Sequence, residues 1–190
     1  MFETFTDPTL PIEERAKEFA TAWHGSINQV RQYTGEPYIT HPAAVVEIVR
    51  SVTNDPVMLA AAWMHDVLED TPCTHIDMEA EFGAEVTDLV IELTNVATRK
   101  DGNRATRRAI DRAHTAQASP RAKTIKCADV IHNLSTILDA PRDFAIMYVR
   151  EKMLLLEVLK EADPRLLKRA QDTVQWALDS LGLTEPAAVA

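Results

Sequence analysis

Apolar residues recur at helical spacing from one end of the chain to the other, and runs of alternating β-branched residues closed by tight turns are missing. The pattern predicts an all-α domain built as a bundle of about eight to ten helices. Pro11 suits a first turn, and Ala16, Phe19, Ala20 and Trp23 follow at steps of three or four residues, forming one apolar stripe. The segment from Tyr33 to Thr40 mixes Gly and Pro without periodicity, so a loop is expected there that ends by presenting His41 just before Pro42. A second helix is expected from Pro42 to about Val52.

Asn54-Asp55-Pro56 reads as a cap followed by an N1 proline, opening a helix through Met58, Ala62, Trp63 and His65 that ends before Thr71-Pro72. Val57 to Leu68 is apolar on nearly every side, which places it at the centre of the bundle. Thr74-His75-Ile76-Asp77 has the form of a capping box with Asp in place of Glu. It starts a short helix that stops at Gly83, and another runs from about Ala84 to Val96. Ser119-Pro120 opens a helix to about Leu138, Pro141 one through Phe144, Val149, Leu154 and Leu155, and Asp163-Pro164 the last, to about Leu181. No repeat, low-complexity block or linker interrupts the chain, so residues 1–190 read as a single domain with peripheral tails at about 1–10 and 183–190.

Composition narrows the partners. A formal net charge of −9 argues against broad adhesion to nucleic acid or anionic membranes and leaves room for a small anionic substrate. The one strongly positive stretch runs from Arg99 to Arg112, where Arg104, Arg107, Arg108 and Arg112 share a helix face. The longest purely apolar run, Val57 to Met64, is far shorter than the roughly 20 residues that span a bilayer. No basic region precedes an apolar one at the N-terminus, and Cys73 and Cys127 are too few for a disulfide framework, so a reducing, cytoplasmic location is expected.

The apolar central segment carries His65-Asp66 and Glu69-Asp70, ionisable groups that are costly to bury unless they pair with each other or hold a metal ion. His65 and Glu69 are four apart, as are Asp66 and Asp70, so two adjacent rows of one helix are expected to face a common volume. His41 and Asp129 are the natural further ligands. Spacing alone leaves other readings open: a helix-end salt-bridge cluster, a loop-end cap at His41, and a pairing of Asp129 with Lys126 or His132.

Three segments settle the direction: Gly35-Glu36-Pro37-Tyr38-Ile39-Thr40-His41-Pro42, His65-Asp66-Val67-Leu68-Glu69-Asp70-Thr71, and Lys126-Cys127-Ala128-Asp129-Val130-Ile131-His132-Asn133. In order and spacing they resemble the hydrolase motifs of the RelA/SpoT family, which are HD-type metal phosphohydrolases. From roughly Ala16 to Leu159 the chain is similar to the small stand-alone alarmone hydrolases, including the metazoan SpoT homologues. The resemblance implies that His41, His65, Asp66 and Asp129 bind one divalent ion, usually Mn2+, and such ligands also suit Fe2+ or Co2+. It implies that Glu69 and Asp70 form the catalytic pair that orients and deprotonates an attacking water whose acidity the ion raises. The implied reaction removes the 3′-diphosphate of guanosine tetra- or pentaphosphate, giving GDP or GTP and pyrophosphate.

By the same resemblance Asn133, one turn after Asp129, contacts substrate, Thr136 adds a hydroxyl and Lys126 flanks the other side. Arg31 matches the first basic residue of an Arg-Lys pair and would grip phosphate bidentately. Lys100 and Arg104 fall where family members place a lysine toward the pyrophosphate. The chain departs from the family at Gln32, which replaces the second basic residue of that pair. It departs again at His24-Gly25, which lies three residues further from Arg31 than the family's Ala-His-x-Gly-Gln approach. Because such a centre needs only a phosphate ester, another nucleotide such as NADPH or a (d)NTP is an alternative substrate. A non-catalytic partner of a toxic nucleotide synthetase is an alternative role, against which the intact Glu69-Asp70 pair speaks. His24, His75, His114 and His132 are read as ordinary hydrogen-bonding residues, and Cys73 and Cys127 as small buried side chains.

Overall fold

A computed structural model describes residues 6–183. Among these residues the chain forms ten α-helices in the order α1 Ile12–Ser26, α2 Thr40–Arg50, α3 Pro56–Met64, α4 Val67–Asp70, α5 His75–Phe82, α6 Ala84–Leu93, α7 Arg104–Gln117, α8 Pro120–Ser135, α9 Arg142–Leu156 and α10 Pro164–Ser180. Two 3-10 turns, Arg99–Asp101 and Ile137–Asp139, complete the helical content. The all-α expectation holds.

Two helices form the spine. Every side chain of α3 from Met58 to Met64 is buried, and α1, α2, α6 and α8 pack around it. Every side chain of α8 from Ala122 to Ile131 is buried as well, under α2, α6 and α10. A helix with no polar face, as α3 is, can lie only where neighbours cover it on all sides, whereas α8 brings Lys123, Thr124, Lys126 and Asp129 into the centre and must supply them with partners. The expected start signals are present as geometry. Asp55 Oδ1 accepts hydrogen bonds from the amides of Val57 (2.9 Å) and Met58 (3.3 Å), while Thr74 and Asp77 exchange the two bonds of a capping box. Asp55 also meets Arg121 through Oδ2 at 2.8 Å, tying α3 to α8. Asp55→Ala should cost about 0.5–2 kcal/mol and lower Tm by roughly 2–8 °C, with Asp55→Asn keeping most of it; thermal melts followed by circular dichroism check this.

Four expectations need correction. The helix expected to run unbroken from Pro56 toward Thr71 stops at Met64, and after His65 and Asp66 only the single turn α4 follows. The helix expected to Val96 ends at Leu93, where Thr94 turns extended and its hydroxyl donates to the Val90 carbonyl at 2.8 Å. The helix expected to Leu138 ends at Ser135, ahead of the 3-10 turn. His41 does not end a loop but lies inside the first turn of α2, with Pro42 behind it, where a missing amide proton costs nothing.

The Gly-Pro segment is itself ordered. Val30 and Pro37 form an antiparallel bridge, Arg31 N donates to Glu36 O at 2.8 Å and Tyr38 N to Gln29 O at 3.0 Å. Gly35 closes this pinch at φ +72, a left-handed conformation that residues with a Cβ rarely adopt. The pinch fixes Gln29, Arg31 and Tyr38 beside the spine. Of the segments expected to be peripheral, residues 1–5 and 184–190 lie outside the described residues, whereas Thr6 is buried against Arg15 and Glu81.

Candidate metal centre and its cleft

The break after Met64 aims the chemistry. His65 caps α3 with Nδ1–H donating to the Ala62 carbonyl at 2.8 Å, which turns Nε2 inward. His65 Nε2 lies 3.2 Å from His41 Nε2 and 3.0 Å from Asp66 Oδ2. His41 Nε2 in turn lies 3.5 Å from Asp66 Oδ2 and 3.2 Å from Asp129 Oδ1, which comes from the middle of α8 and stands 3.8 Å from His65 Nε2. His41, His65 and Asp66 form a set whose donor atoms all fall within 4.8 Å of one another, with Asp129 at its edge. The two imidazoles are buried to 1% exposure or less.

Two carboxylates meeting at two buried imidazoles call for a compensating positive charge among them. A proton on His65 meets that need in the bare cluster: burial works against it, yet Asp66 and Asp129 raise His65 to about 10. Burial likewise opposes charge on Asp66 and Asp129, but the neighbouring histidines, with Lys152 and Lys126 near Asp129, hold both well below the usual carboxylate range. A divalent ion fits the same place. Bonds of about 2.1 Å put adjacent octahedral donors about 3.0 Å apart, and two neutral imidazoles with two carboxylates suit Mn, Fe, Co or Zn.

The cluster opens into a cleft of about 180 Å³. Glu69 and Asp70 line it, but not as successive rows of one helix: the break gives them separate supports. Asn95 Nδ2 donates to both Glu69 oxygens at 2.9 and 2.8 Å, and the Asn95 amide adds a 3.3 Å contact. Asp111, buried at the middle of α7, accepts from the amides of Val96 and Ala97 and so fixes the loop that carries Asn95. Asp70 Oδ2 accepts from Gln29 Nε2 at 2.8 Å. Gln29 Oε1 accepts from the buried His24 Nδ1 at 2.6 Å, which dictates that the amide turns its NH2 toward Asp70. Burial, then the charge of Asp66, pushes Asp70 up to about 6. Tyr38 donates to Asp66 Oδ2 at 2.5 Å, and burial and that carboxylate raise its hydroxyl pKa.

The remaining expected residues divide. Lys126 lines the cleft with Nζ 3.1 Å from the Leu93 carbonyl. Asn133 bridges Asp129, to which its amide donates, and Arg31, whose Nη1 donates to Asn133 Oδ1 at 3.0 Å. Arg31, Asn133 and Thr136 line an adjoining hollow of about 320 Å³, together with Gln32 and Phe144. Lys100 and Arg104 are not brought to the cleft. Lys100 is exposed in the 3-10 turn, and Arg104, at the start of α7, is taken by Glu151 in a two-pronged pair at 2.7 and 2.9 Å.

Cations further along reach the cleft instead: Arg108, Arg112 and Lys152. Arg112 has no hydrogen bond or ion pair among the described residues, and Lys152 lies 4.7 Å over the Tyr148 ring. The shared arginine face signalled Arg108 and Arg112, whereas nothing local marks Lys152. His132, read as an ordinary residue, has its Nδ1 2.7 Å from His41 Nδ1, and burial, then the neighbouring His41 and Arg31, pushes it down to about 4.

The HD domain family matches residues 16–158. A probable GTP pyrophosphokinase of Mycobacterium leprae is 37% identical over 180 residues, covering 94% of this chain and 22% of that protein. A guanosine-3′,5′-bis(diphosphate) 3′-pyrophosphohydrolase of Haemophilus influenzae is 38% identical over 109 residues, 55% of this chain and 16% of that protein. The chain thus spans about a fifth of the length of the curated relatives it matches. Among solved structures, a metazoan SpoT ortholog described as hydrolysing ppGpp superposes with a TM-score of 0.78 at 27% identity, covering 94% of this chain and 99% of that one. A Listeria monocytogenes protein does so with a TM-score of 0.63 at 26% identity, covering 78% and 99%.

Proposed function

We propose, from the premise that this chain belongs to the HD domain family, that it is a metal-dependent phosphohydrolase removing the 3′-diphosphate of guanosine tetra- or pentaphosphate. The observation that carries the reading is one cleft lined by Asp66, Asp129, Glu69, Asp70 and the cations Arg108, Arg112, Lys126 and Lys152, with the buried His41 and His65 facing the first two of those carboxylates. Carboxylates suited to proton transfer and cations suited to phosphate meet there at a set of donors fit for one ion. The similarity to a metazoan ppGpp hydrolase over nearly the whole chain supports the substrate.

A divalent ion, Mn2+ in this reading, held by His41, His65, Asp66 and Asp129 would supply the positive charge that acidifies water and offsets charge on phosphoryl oxygens. Asp70, with Oδ2 held by Gln29, has its other oxygen to accept the proton of the attacking water. Glu69, fixed on both oxygens by Asn95, orients that water. Water oxygen bonds to the 3′-attached phosphorus, the bond to the ribose 3′-oxygen breaks, and the ribose oxygen takes a proton as GDP and pyrophosphate separate. In this reading Arg112 and Lys152 take the departing phosphates, and Arg31, in the adjoining hollow, grips a phosphate of the remaining nucleotide.

The test incubates metal-stripped chain plus Mn2+ with guanosine tetraphosphate, NADPH, GTP and dATP and resolves products by ion exchange. GDP with pyrophosphate is expected. Gln32 in the hollow beside Arg31 favours, as a second reading, a nucleotide carrying less charge there, and turnover of NADPH alone would select it. Metal uptake with no turnover of any substrate would overturn the enzymatic reading in favour of a partner-binding role. Arg31→Ala should raise KM by roughly 10- to 100-fold through loss of a charged contact, with kcat changed far less; steady-state kinetics check this, and a loss confined to kcat contradicts the phosphate grip.

A further inference from the structure

We propose that His132 is a positioning residue that fixes the ligating tautomer of His41. The inference rests on the metal-centre reading above and goes beyond it by assigning a role to a side chain outside the donor set.

The argument is one of counting protons. His41 and His132 approach through their Nδ1 atoms at 2.7 Å, with ring centroids 4.9 Å apart. A contact that short between two imidazole nitrogens needs one proton, and either ring can bring it. If His132 brings it, a neutral His41 carries its own proton on Nε2. That atom then cannot bind an ion, although it faces His65 Nε2, Asp66 Oδ2 and Asp129 Oδ1. If His41 brings it, Nε2 is a free lone pair aimed at the other donors, and His132 accepts on Nδ1 and keeps its own proton on Nε2. Ligation therefore demands that His132 be the acceptor.

The other histidine of the cluster shows the same device made differently. His65 gives its Nδ1–H to the main-chain carbonyl of Ala62, an acceptor no substitution removes. His41, entirely buried in the first turn of α2, relies on a side chain from α8. His132 stands three residues after Asp129 and one before Asn133, whose amide donates to Asp129. The last turn of α8 thus steadies two of the four donors, His41 through His132 and Asp129 through Asn133. Acceptors behind ligating imidazoles change metal affinity by about 10- to 100-fold.

The experiment measures Mn2+ affinity of the full metal-stripped chain by calorimetry, with thermal melts alongside. His132→Phe keeps a ring and removes the acceptor; His132→Asn restores an oxygen close to the Nδ1 position. Affinity should fall about 10- to 100-fold in the first and recover to within a few-fold of the parent in the second. Equal affinity of the parent and His132→Phe overturns the proposal, as does a His132→Asn variant as weak as His132→Phe, which would show that only the ring's shape matters. A parent that takes up no metal at all overturns the metal-centre reading and the proposal with it, a result distinct from either. Long-range nitrogen-15 spectra of histidine-labelled parent loaded with Zn2+ decide without any variant. A proton on His41 Nδ1 and on His132 Nε2 is expected, and a proton on His132 Nδ1 overturns the assignment.

Discussion

Asp70→Asn should leave fold and metal uptake intact while lowering kcat by about 10²- to 10⁴-fold, the usual worth of a positioned proton acceptor. The substitution preserves size and still offers an oxygen to Gln29 Nε2, so binding of substrate should change little and the loss should appear in kcat and kcat/KM together. The parent's pH profile gives a second readout. Burial and Asp66 push the Asp70 carboxyl up to about 6, and the proposed reaction calls for its deprotonated form. Activity should therefore climb through pH 6 and level off above it, whereas the residual rate of Asp70→Asn should lack that limb. Glu69→Gln should also keep metal and fold and lose turnover, for a different reason. An amide NH2 placed against Asn95 Nδ2 has donor facing donor and must swing away from the position the carboxylate holds.

Asp66→Ala and Asp129→Ala should each abolish stoichiometric Mn2+ binding and reduce turnover to background. Each carboxylate touches both imidazole Nε2 atoms, so removing either deletes a donor and also strips His41 and His65 of the anion that faces them. Metal per chain, measured by elemental analysis after dialysis, should fall from one equivalent to none. A variant that still binds one equivalent as the parent does would show that the residue is not a ligand. His65→Ala should be harder on the fold. It leaves the buried Asp129 and the half-buried Asp66 without the charge that offsets them, and orphaning a buried ion pair costs about 3–5 kcal/mol.

The all-α architecture and most helix starts were legible because caps and apolar periodicity are local: Asp55, Thr74, Ser119 and Asp163 all accept the backbone bonds their positions suggest. The ends were less legible. The apolar run through His65 shows no breaker such as Gly or Pro, and the stop comes from tertiary demand, since His65 and Asp66 must turn toward His41 and Asp129 on other helices. That His41, His65, Asp66 and Asp129 come together could be expected from motif order, because a motif names residues without stating how the backbone presents them. Their supports could not. His24 holding Gln29, Asn95 holding Glu69 and His132 facing His41 are contacts across the chain that no periodicity encodes. The basic stretch was visible as charge, but which arginine reaches the cleft depended on Glu151, ten residues into another helix, capturing Arg104 first.

Helix α7 buries only Asp111 and Thr115, and what fastens it is largely polar: Asp111 to two backbone amides, and Arg104 and Arg108 to Glu151. Helices α3, which His65 follows, and α8, which carries Asp129, are by contrast buried along most of their length. The molecule is thus mechanically graded, with a stiff half that keeps the donors in register and a lightly tethered half that carries Arg108 and Arg112. Local opening follows the weakest anchoring, so the two halves need not move together. A phosphate seated between Arg112 and Lys152 would add a second cross-link between α7 and α9, one turn beyond the Glu151 pairs. The substrate would then stiffen the wall that grips it, and departure of its phosphates would release that wall again.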